Sequence, residues 1–142
     1  MDFTNLVLSI FEALIKTYSI ICKKPYLTVE VEYAPQRGRS GKVTKELIAF
    51  TIINESGPEI EVQKTWFLTS FNRPVLSKFI DSKIPIKVPK KNRATYFVPI
   101  EEFKTALNKS AGETITKAVV LDQTEHKHTG RVDKATQEEL AR

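Results

Sequence analysis

Both histidines of the chain lie in one short segment, DQTEHKHTG at residues 122–130. His126 and His128 are two positions apart, so on a strand their side chains would point to the same face. Asp122 or Glu125 could join them in a metal site, because imidazole and carboxylate are common zinc ligands. The sequence offers no clear fourth ligand and no nucleophile loop beside them. We therefore expect a solvated hairpin here, with no metal, no cofactor and no catalytic residue.

A Gly-Lys pair in QRGRSGKV, residues 36–43, is similar to part of a phosphate-binding loop. That motif requires Gly where this chain has Gln36, and Ser or Thr where it has Val43, followed by a helix. Here a strand is expected to follow. We interpret the segment as a hairpin loop, and we predict that the protein is not an enzyme.

Basic side chains form two groups that could contact an anion. The net charge is +5 and the pI is about 9.3, which permits binding to nucleic acid or anionic lipid without requiring it. Proteins that bind single-stranded nucleic acid stack the bases on aromatic rings. The aromatic residues here, Tyr96 and Phe97, lie within a predicted β-strand, where only one of them can face outward. We therefore expect no nucleic-acid partner. The candidate anion contacts are Lys83, Lys87, Lys90, Lys91 and Arg93, and the second group is Arg37, Arg39, Lys42 and Lys45.

Trp66 is the only tryptophan, in IEVQKTWFL at residues 60–68. Strict alternation from Ile60 places Trp66 and Leu68 on the face that also carries Val62, with Lys64 as its one polar member. An aromatic residue in the third strand of a sandwich packs across both sheets. We therefore predict that Trp66 lies in the core.

Alternating apolar and polar residues define the rest of the chain after Pro25. In YLTVEVEY, residues 26–33, the odd-numbered positions from Leu27 to Tyr33 are apolar. About seven short strands with turn residues between them predict a mainly β protein, a single antiparallel immunoglobulin-like β-sandwich. The predicted strands are 26–33, 47–53, 60–68, 84–88, 94–100, 114–122 and 126–132.

Two helices are expected among and after these strands. One spans about 100–110 between late strands, where Phe103, Ala106 and Leu107 form the buried face and Gly112 ends the helix. The tail, residues 133–142, is predicted to form a final helix with a capping box of Thr136 and Glu139.

The first helix, residues 3–23, is apolar around most of its circumference. Its polar residues follow one another at intervals of four and three positions, so they form a narrow stripe. Two charges within a membrane span would each cost about 2.5 to 3.5 kcal/mol, which argues against a span, and the segment lacks the features of a signal peptide. The polar stripe consists of Asn5, Ser9, Glu12, Lys16, Ser19 and Lys23.

So wide an apolar surface predicts a partner for this helix. We expect self-association into a homo-oligomer, and contact with a membrane surface is the alternative. The candidate self-association residues are Val7, Ile10, Leu14 and Ile21.

The order of features resembles a group of small bacterial and prophage-encoded proteins of unknown function. The matching features are the exit KKPYLTVEVE after an apolar helix, the Asn-led turn in FTIINESGPEIEV, and a late VVLD strand. The resemblance implies an immunoglobulin-like or fibronectin-like sandwich and no catalytic residues. In that group the helix is often a membrane anchor, whereas Glu12 and Lys16 interrupt it here.

The 142-residue chain suits one β-domain at 25–142 preceded by the helix at 1–24. A single cysteine, Cys22, cannot form an internal disulfide and fits the cytoplasm. We therefore expect a non-enzymatic binding or assembly module that is cytoplasmic and oligomeric. The alternatives are a peripheral or anchored membrane protein and a weak nucleic-acid binder that uses the basic loops.

Overall fold

The computed structural model describes Thr4, residues 6–11, residues 26–55 and residues 58–142. The strands are β1 (Leu27–Tyr33), β2 (Gln36–Arg37), β3 (Val43–Lys45), β4 (Leu47–Asn54), β5 (Ile60–Thr69), β6 (Pro74–Val75), β7 (Ile86–Val88), β8 (Arg93–Pro99), β9 (Ile115–Asp122) and β10 (Lys127–Arg131). The helical segments are α1 (residues 4 and 6–11), α2 (Lys78–Asp81), α3 (Ile100–Ala106), a 3₁₀ turn (Lys109–Ala111) and α4 (Lys134–Ala141).

The first sheet has the strand order β1-β4-β8, and its neighbours are antiparallel. Period-two alternation makes β1 amphipathic, so Leu27, Val29 and Val31 are buried while Glu30 faces solvent. The central strand β4 is more uniformly apolar, because side chains on both of its faces are buried or half-buried.

The second sheet has the order β10-β9-β5, and both β6 and β7 pair with the remaining edge of β5. β2 and β3 form a separate hairpin. The register of β5 against β9 shifts between Val62 and Lys64, which is a β-bulge.

The two larger sheets meet through aromatic side chains. The Phe50 ring of β4 lies 5.4 Å from the Phe67 ring of β5, and Phe67 lies 4.8 Å from Phe103 of α3. All three side chains are buried within one hydrophobic core. The inner faces of both sheets therefore contribute to the same core.

The first strand lies directly against the last. Val31 forms a parallel bridge with Val132, and the Leu27 N–H donates to the Nδ1 atom of His128 at 3.3 Å. A Cβ atom at Gly130 would lie 2.0 Å from the Val29 carbonyl oxygen, so only glycine allows this close approach. This corner joins the edges of the two sheets.

The prediction of a mainly β chain is confirmed, with each expected strand present within a few residues. The short β2, β3 and β6 were not predicted, because two or three residues give no readable alternation. The tail helix forms, but the capping box is wrong: Asp133 is the N-cap, and its side chain accepts from the Thr136 N–H. Gly112 ends the 3₁₀ turn at a φ of 75°, as a left-handed C-cap.

Candidate binding surfaces

Trp66 lies on the outer face of β5, so the prediction that it lies in the core is wrong. The bulge at Gln63 and Lys64 places two consecutive residues on the outside and reverses the alternation beyond it. Phe67, which is 1% exposed, takes the core position instead. The Trp66 indole is half-buried, and the Lys127 Nζ lies over it, 5.7 Å from the ring centroid.

The outer face of the second sheet combines this indole with basic side chains. The register of β5, β9 and β10 forms a grid of three rows, and none of its residues is acidic. The four cations lie around Trp66 and its neighbours, so this face has a positive potential. The rows are Lys64–Leu121–Lys127, Trp66–Val119–Thr129 and Leu68–Lys117–Arg131.

A groove of about 580 Å³ lies at the edge of this face, beside the part of β5 that pairs with neither β6 nor β7. β7 pairs with Ile60 to Val62, and β6 pairs with Phe67 and Leu68. Residues 63–66 of β5 are left between them, because the chain from Leu76 to Pro85 leaves the sheet to form α2. The lining residues are Gln63, Lys64, Thr65, Trp66, Pro74, Leu76, Asp81 and Ile84.

Thr65 directs its backbone polar groups away from β9. The Asp122 N–H donates to the His126 carbonyl, which fixes the alternation of hydrogen bonds along β9. The backbone of Val120 therefore bonds to β10, and the backbones of Val119 and Leu121 bond to β5. Thr65 is opposite Val120, and its N–H and C=O therefore point away from β9. On the other edge of β5 the Thr69 N–H donates to the Arg73 carbonyl. The backbone polar groups of the alternate residues 67 and 65 therefore also point toward that edge.

The groove carries one carboxylate, from the exposed Asp81 at the end of α2. Partial desolvation of its carboxylate raises the pKa of Asp81, and the nearby charge of Glu102 raises it further. Lys64 lines the same groove, and the Lys127 Nζ lies over the ring of Trp66, which also lines it. The open rim of the groove is therefore basic, and its acidic residue lies on the side of α2.

The two histidines have different environments, so the expectation of a fully solvated pair is wrong. His126 is exposed, and its Nδ1 lies 2.6 Å from the Thr124 hydroxyl. His128 is buried: its Nδ1 accepts from Leu27, so its Nε2 carries the proton and donates to the Asp122 Oδ2 at 2.7 Å. The imidazole thus connects the first strand to the last hairpin.

Asp122 anchors the hairpin between β9 and β10. Its Oδ1 accepts from the Thr124 N–H and hydroxyl and from the His126 N–H. Burial alone would raise the pKa of Asp122, but the hydrogen bonds from His128, Thr124 and His126 outweigh it and hold the pKa below its ordinary value. Among the described residues, no group of three or more His, Cys, Asp or Glu side chains could hold a metal ion.

A second buried carboxylate, Glu113, is bound by Arg73. The guanidinium makes two hydrogen bonds to it, at 2.6 and 3.1 Å, and the Asn108 N–H donates a third at 2.9 Å. The bonds from Arg73 and Asn108 lower the pKa of Glu113 to about 2. Arg73 also donates to the Ala106 carbonyl, so the pair fixes the loop after α3 against the start of β6.

The candidate anion contacts are all exposed, but they belong to different elements. Lys87 lies on β7 opposite Glu61, and Arg93 lies on β8 in the other sheet. The Lys91 Nζ donates to the Glu55 carbonyl, and the Lys83 Nζ lies 5.5 Å from the centre of the Phe79 ring. Of the two nearby aromatics, Tyr96 is buried and Phe97 faces out. Anion binding by Lys83, Lys87, Lys90, Lys91 and Arg93 stays a prediction.

The second basic group lies on the β2–β3 hairpin, as the loop interpretation of residues 36–43 predicts. The Arg37 guanidinium donates to the Gly41 carbonyl within the turn. Arg39, Lys42 and Lys45 are exposed.

The described part of the first helix, α1, is exposed along its length. Val7 is 48% exposed and Ile10 is 55% exposed, and the neighbouring Leu6, Leu8 and Phe11 are exposed as well. Leu14 and Ile21 lie outside the described residues. Within the part of the chain that the structure describes, no helix has the length and apolar character needed to cross a membrane.

Searches with protein-family models, among curated proteins and among solved structures each give no match to this chain. The functional assignment therefore depends on the geometry of this chain alone.

Sequence reasoning missed the groove and the cationic outer face. Both depend on the bulge in β5 and on the departure of the chain at Leu76, and each is a tertiary feature. One signal was present: Lys64 interrupts an otherwise apolar face, and a polar residue in that position is typical of a bulge that shifts the alternation by one.

Proposed function

We propose that this protein is a non-enzymatic binding module that assembles with copies of itself through its amino-terminal helix. The observation that carries this proposal is the exposure of Leu6, Val7, Leu8, Ile10 and Phe11 in α1. Exposed apolar surface of this extent is typical of an interaction site. The side chains of these residues are not covered by the β-domain, which favours a partner outside the chain.

The angular spread of these side chains supports contact on a wide face. At 100° per residue, positions 6, 7, 8, 10 and 11 cover an arc of about 200°, and Ser9 lies outside it. An ordinary surface helix buries an arc of little more than about 100°. A bundle of several copies covers more of the helix than a single neighbour does, so we propose an oligomer above a dimer.

A lipid surface is the second candidate, and the net charge of +5 favours it. Positive charge is attracted to anionic headgroups and opposes close packing of identical chains. Both effects are weakened at physiological salt, where the screening length is about 8 Å. We therefore keep self-assembly as the main proposal.

The finer architecture belongs to the same proposal. We infer that the two larger sheets are the layers of an immunoglobulin-like β-sandwich, which the contact between Phe50 and Phe67 supports. A role as an accessory protein of a bacterium or prophage, and a cytoplasmic location, also stay proposals.

Sedimentation of the full chain at micromolar concentration without detergent tests the assembly. We expect an oligomer that Ile10→Asp weakens, because a charge would be buried in the helix contact. Ser9→Asp is the matched control, since it adds the same charge on the polar stripe and should leave the oligomer intact. A monomeric full-length protein would contradict self-assembly.

Flotation with phosphatidylserine vesicles separates the two candidates. A protein that is monomeric in solution and floats with vesicles, and that Ile10→Asp releases, would replace the oligomer with a lipid-bound form. A protein that does neither would overturn both.

A further inference from the structure

The outer face of the second sheet carries four cations, and their rows contain no acidic residue. All four side chains are exposed, and none of them forms an ion pair with another described residue. Unpaired charges of one sign on one face attract a polyanion from solution. The four cations are Lys64, Lys117, Lys127 and Arg131.

These cations lie in two rows, one on each side of the row that contains Trp66. Lys64 and Lys127 lie in one cationic row, and Lys117 and Arg131 lie in the other. Successive residues on one face of a strand are about 6.8 Å apart, so each cationic row lies at about that distance from the Trp66 row. A polyanion that crosses the Trp66 row therefore meets positive charge on both sides of the indole.

The Trp66 indole presents a ring face to a partner outside the sheet. Its neighbour Val119 is 4% exposed although it lies outside the core, which indicates that outer side chains cover it. The Lys127 Nζ lies over the indole, so one ring face is accessible to a cation. A nucleic-acid base stacks on the same kind of accessible ring face. Lys127 has a flexible stem, so its ammonium can exchange the ring for a phosphate.

We propose that the outer face of the second sheet binds single-stranded nucleic acid, with one base stacked on Trp66 and phosphates on the cationic rows. Stacking on aromatic side chains and cationic contacts to the backbone are how proteins bind single strands without sequence preference. The sequence alone predicts Trp66 in the core, and on the outer face this residue supplies the aromatic ring that stacking requires. This inference does not depend on the amino-terminal helix.

An anionic lipid surface is the competing occupant of this basic face. Proteins that lie on a membrane insert apolar side chains below the headgroups. The other apolar residues of the three rows are all buried or half-buried, so they offer little surface to insert. The face therefore favours flat bases over a lipid surface. These residues are Leu68, Val119 and Leu121.

Two carboxylates border the face on the side of Lys64. Asp81 lines the adjoining groove, and the Glu61 side chain accepts a hydrogen bond from the Gln63 amide. Both carboxylates lower the positive potential at Lys64. We therefore expect the phosphates mainly at the three cations of β9 and β10.

Titration of the full-length protein with oligothymidylate, followed by Trp66 emission, tests the proposal. Stacking should change the emission of this single tryptophan to saturation. Three or four phosphate contacts predict a log–log salt slope of about −2 to −3, so binding should weaken about 20- to 50-fold between about 50 and 200 mM salt. An abasic oligonucleotide of the same length should bind about 5- to 150-fold more weakly, because it keeps the phosphates and lacks the bases.

Variants of the protein test stacking and charge separately. Trp66→Ala should weaken binding about 5- to 150-fold, measured by the anisotropy of a labelled oligothymidylate, whereas Trp66→Phe keeps a ring and should retain most of the affinity. Lys117→Ala should reduce the size of the salt slope by about 0.7, because one phosphate contact is lost. Lys45→Ala removes the same charge from the separate β2–β3 hairpin, and it should leave the affinity and the slope unchanged.

Four results would overturn the proposal. One is the absence of a saturable change in emission with oligothymidylate at low salt. The second is an abasic oligonucleotide or polyglutamate that binds as tightly as oligothymidylate, which would leave only attraction between opposite charges. The third is a phosphatidylserine vesicle that changes the emission when oligothymidylate does not, which would assign the face to lipid. The fourth is an equal loss in Lys45→Ala and Lys117→Ala, which would assign the binding to net charge.

Discussion

Two adjacent aromatic residues of β5 lie in opposite environments. Phe67 is buried between the sheets, in contact with Phe50 and Phe103, whereas Trp66 lies half-buried on the outer face beneath Lys127. The inner face of β5 packs against the first sheet, whereas the outer face makes no contact between the two sheets. The bulge at Gln63 and Lys64 determines that Phe67 faces the core and that Trp66 faces outward.

The two edges of the same strand differ as well. One edge pairs with β9 from Val62 to Thr69, whereas the other pairs only with β7 at one end and with β6 near the other. Open edges invite an added strand, and proteins normally cover or shorten them. Here Thr65, which lies between the two pairings, is 2% exposed, so this part of the edge is covered.

The largest expected effect comes from exchanging the two aromatics for alanine. Phe67→Ala should lower the free energy of unfolding by about 3 to 5 kcal/mol, because it leaves a cavity in the core. Trp66→Ala should cost less, about 1 to 3 kcal/mol, because the half-buried indole loses its contact with Lys127 and part of its apolar burial but leaves no cavity in the core. Urea unfolding measures both. Equal losses, or Trp66 fluorescence that iodide fails to quench, would remove the distinction between the two faces.

A smaller difference is expected between the two histidines. His128→Ala should destabilise the fold by about 1 to 3 kcal/mol, since it leaves the Leu27 N–H and the Asp122 carboxylate short of a buried partner. His126→Ala should change stability by less than about 0.5 kcal/mol, because the ring is exposed. If thermal unfolding shows the same loss in both variants, the corner between the first strand and the last hairpin is not held by His128.

The last difference concerns the acid stability provided by Glu113. Its pKa is lowered from the ordinary value of 4.5 to about 2 by Arg73 and Asn108, so the carboxylate stabilises the fold above pH 4.5. That contribution is lost as the pH falls from 4.5 to about 2. Glu113→Gln should remove this part of the acid limb in pH-dependent unfolding. Glu59→Gln, at an exposed position, is the control and should leave the acid limb unchanged. An unchanged acid limb in Glu113→Gln would contradict the role given to Glu113.

Much of the fold could be predicted from local pattern. The strands at 26–33, 47–53, 94–100 and 114–122 were readable, because each alternates or is continuously apolar over a sufficient length. The prediction failed at Trp66, since alternation was carried through Lys64 without a bulge. It also failed at the tail, where Asp133 rather than Thr136 caps the helix.

The candidate site could not be predicted, because it is assembled from distant segments. The hairpin sequence predicts a solvated His128, whereas the residue is buried and accepts a hydrogen bond from Leu27, 101 positions away. The cations of the outer face come from three strands, and only their register brings them around Trp66. Sequence spacing carries no information on such pairings.

Iodide quenching of the Trp66 fluorescence tests the two faces of β5 most directly. In the native protein we expect iodide to quench the emission, because the indole is half-buried on the outer face beneath Lys127. A native emission that iodide fails to quench would mean that Trp66 lies in the core, and the account of the two faces would be wrong.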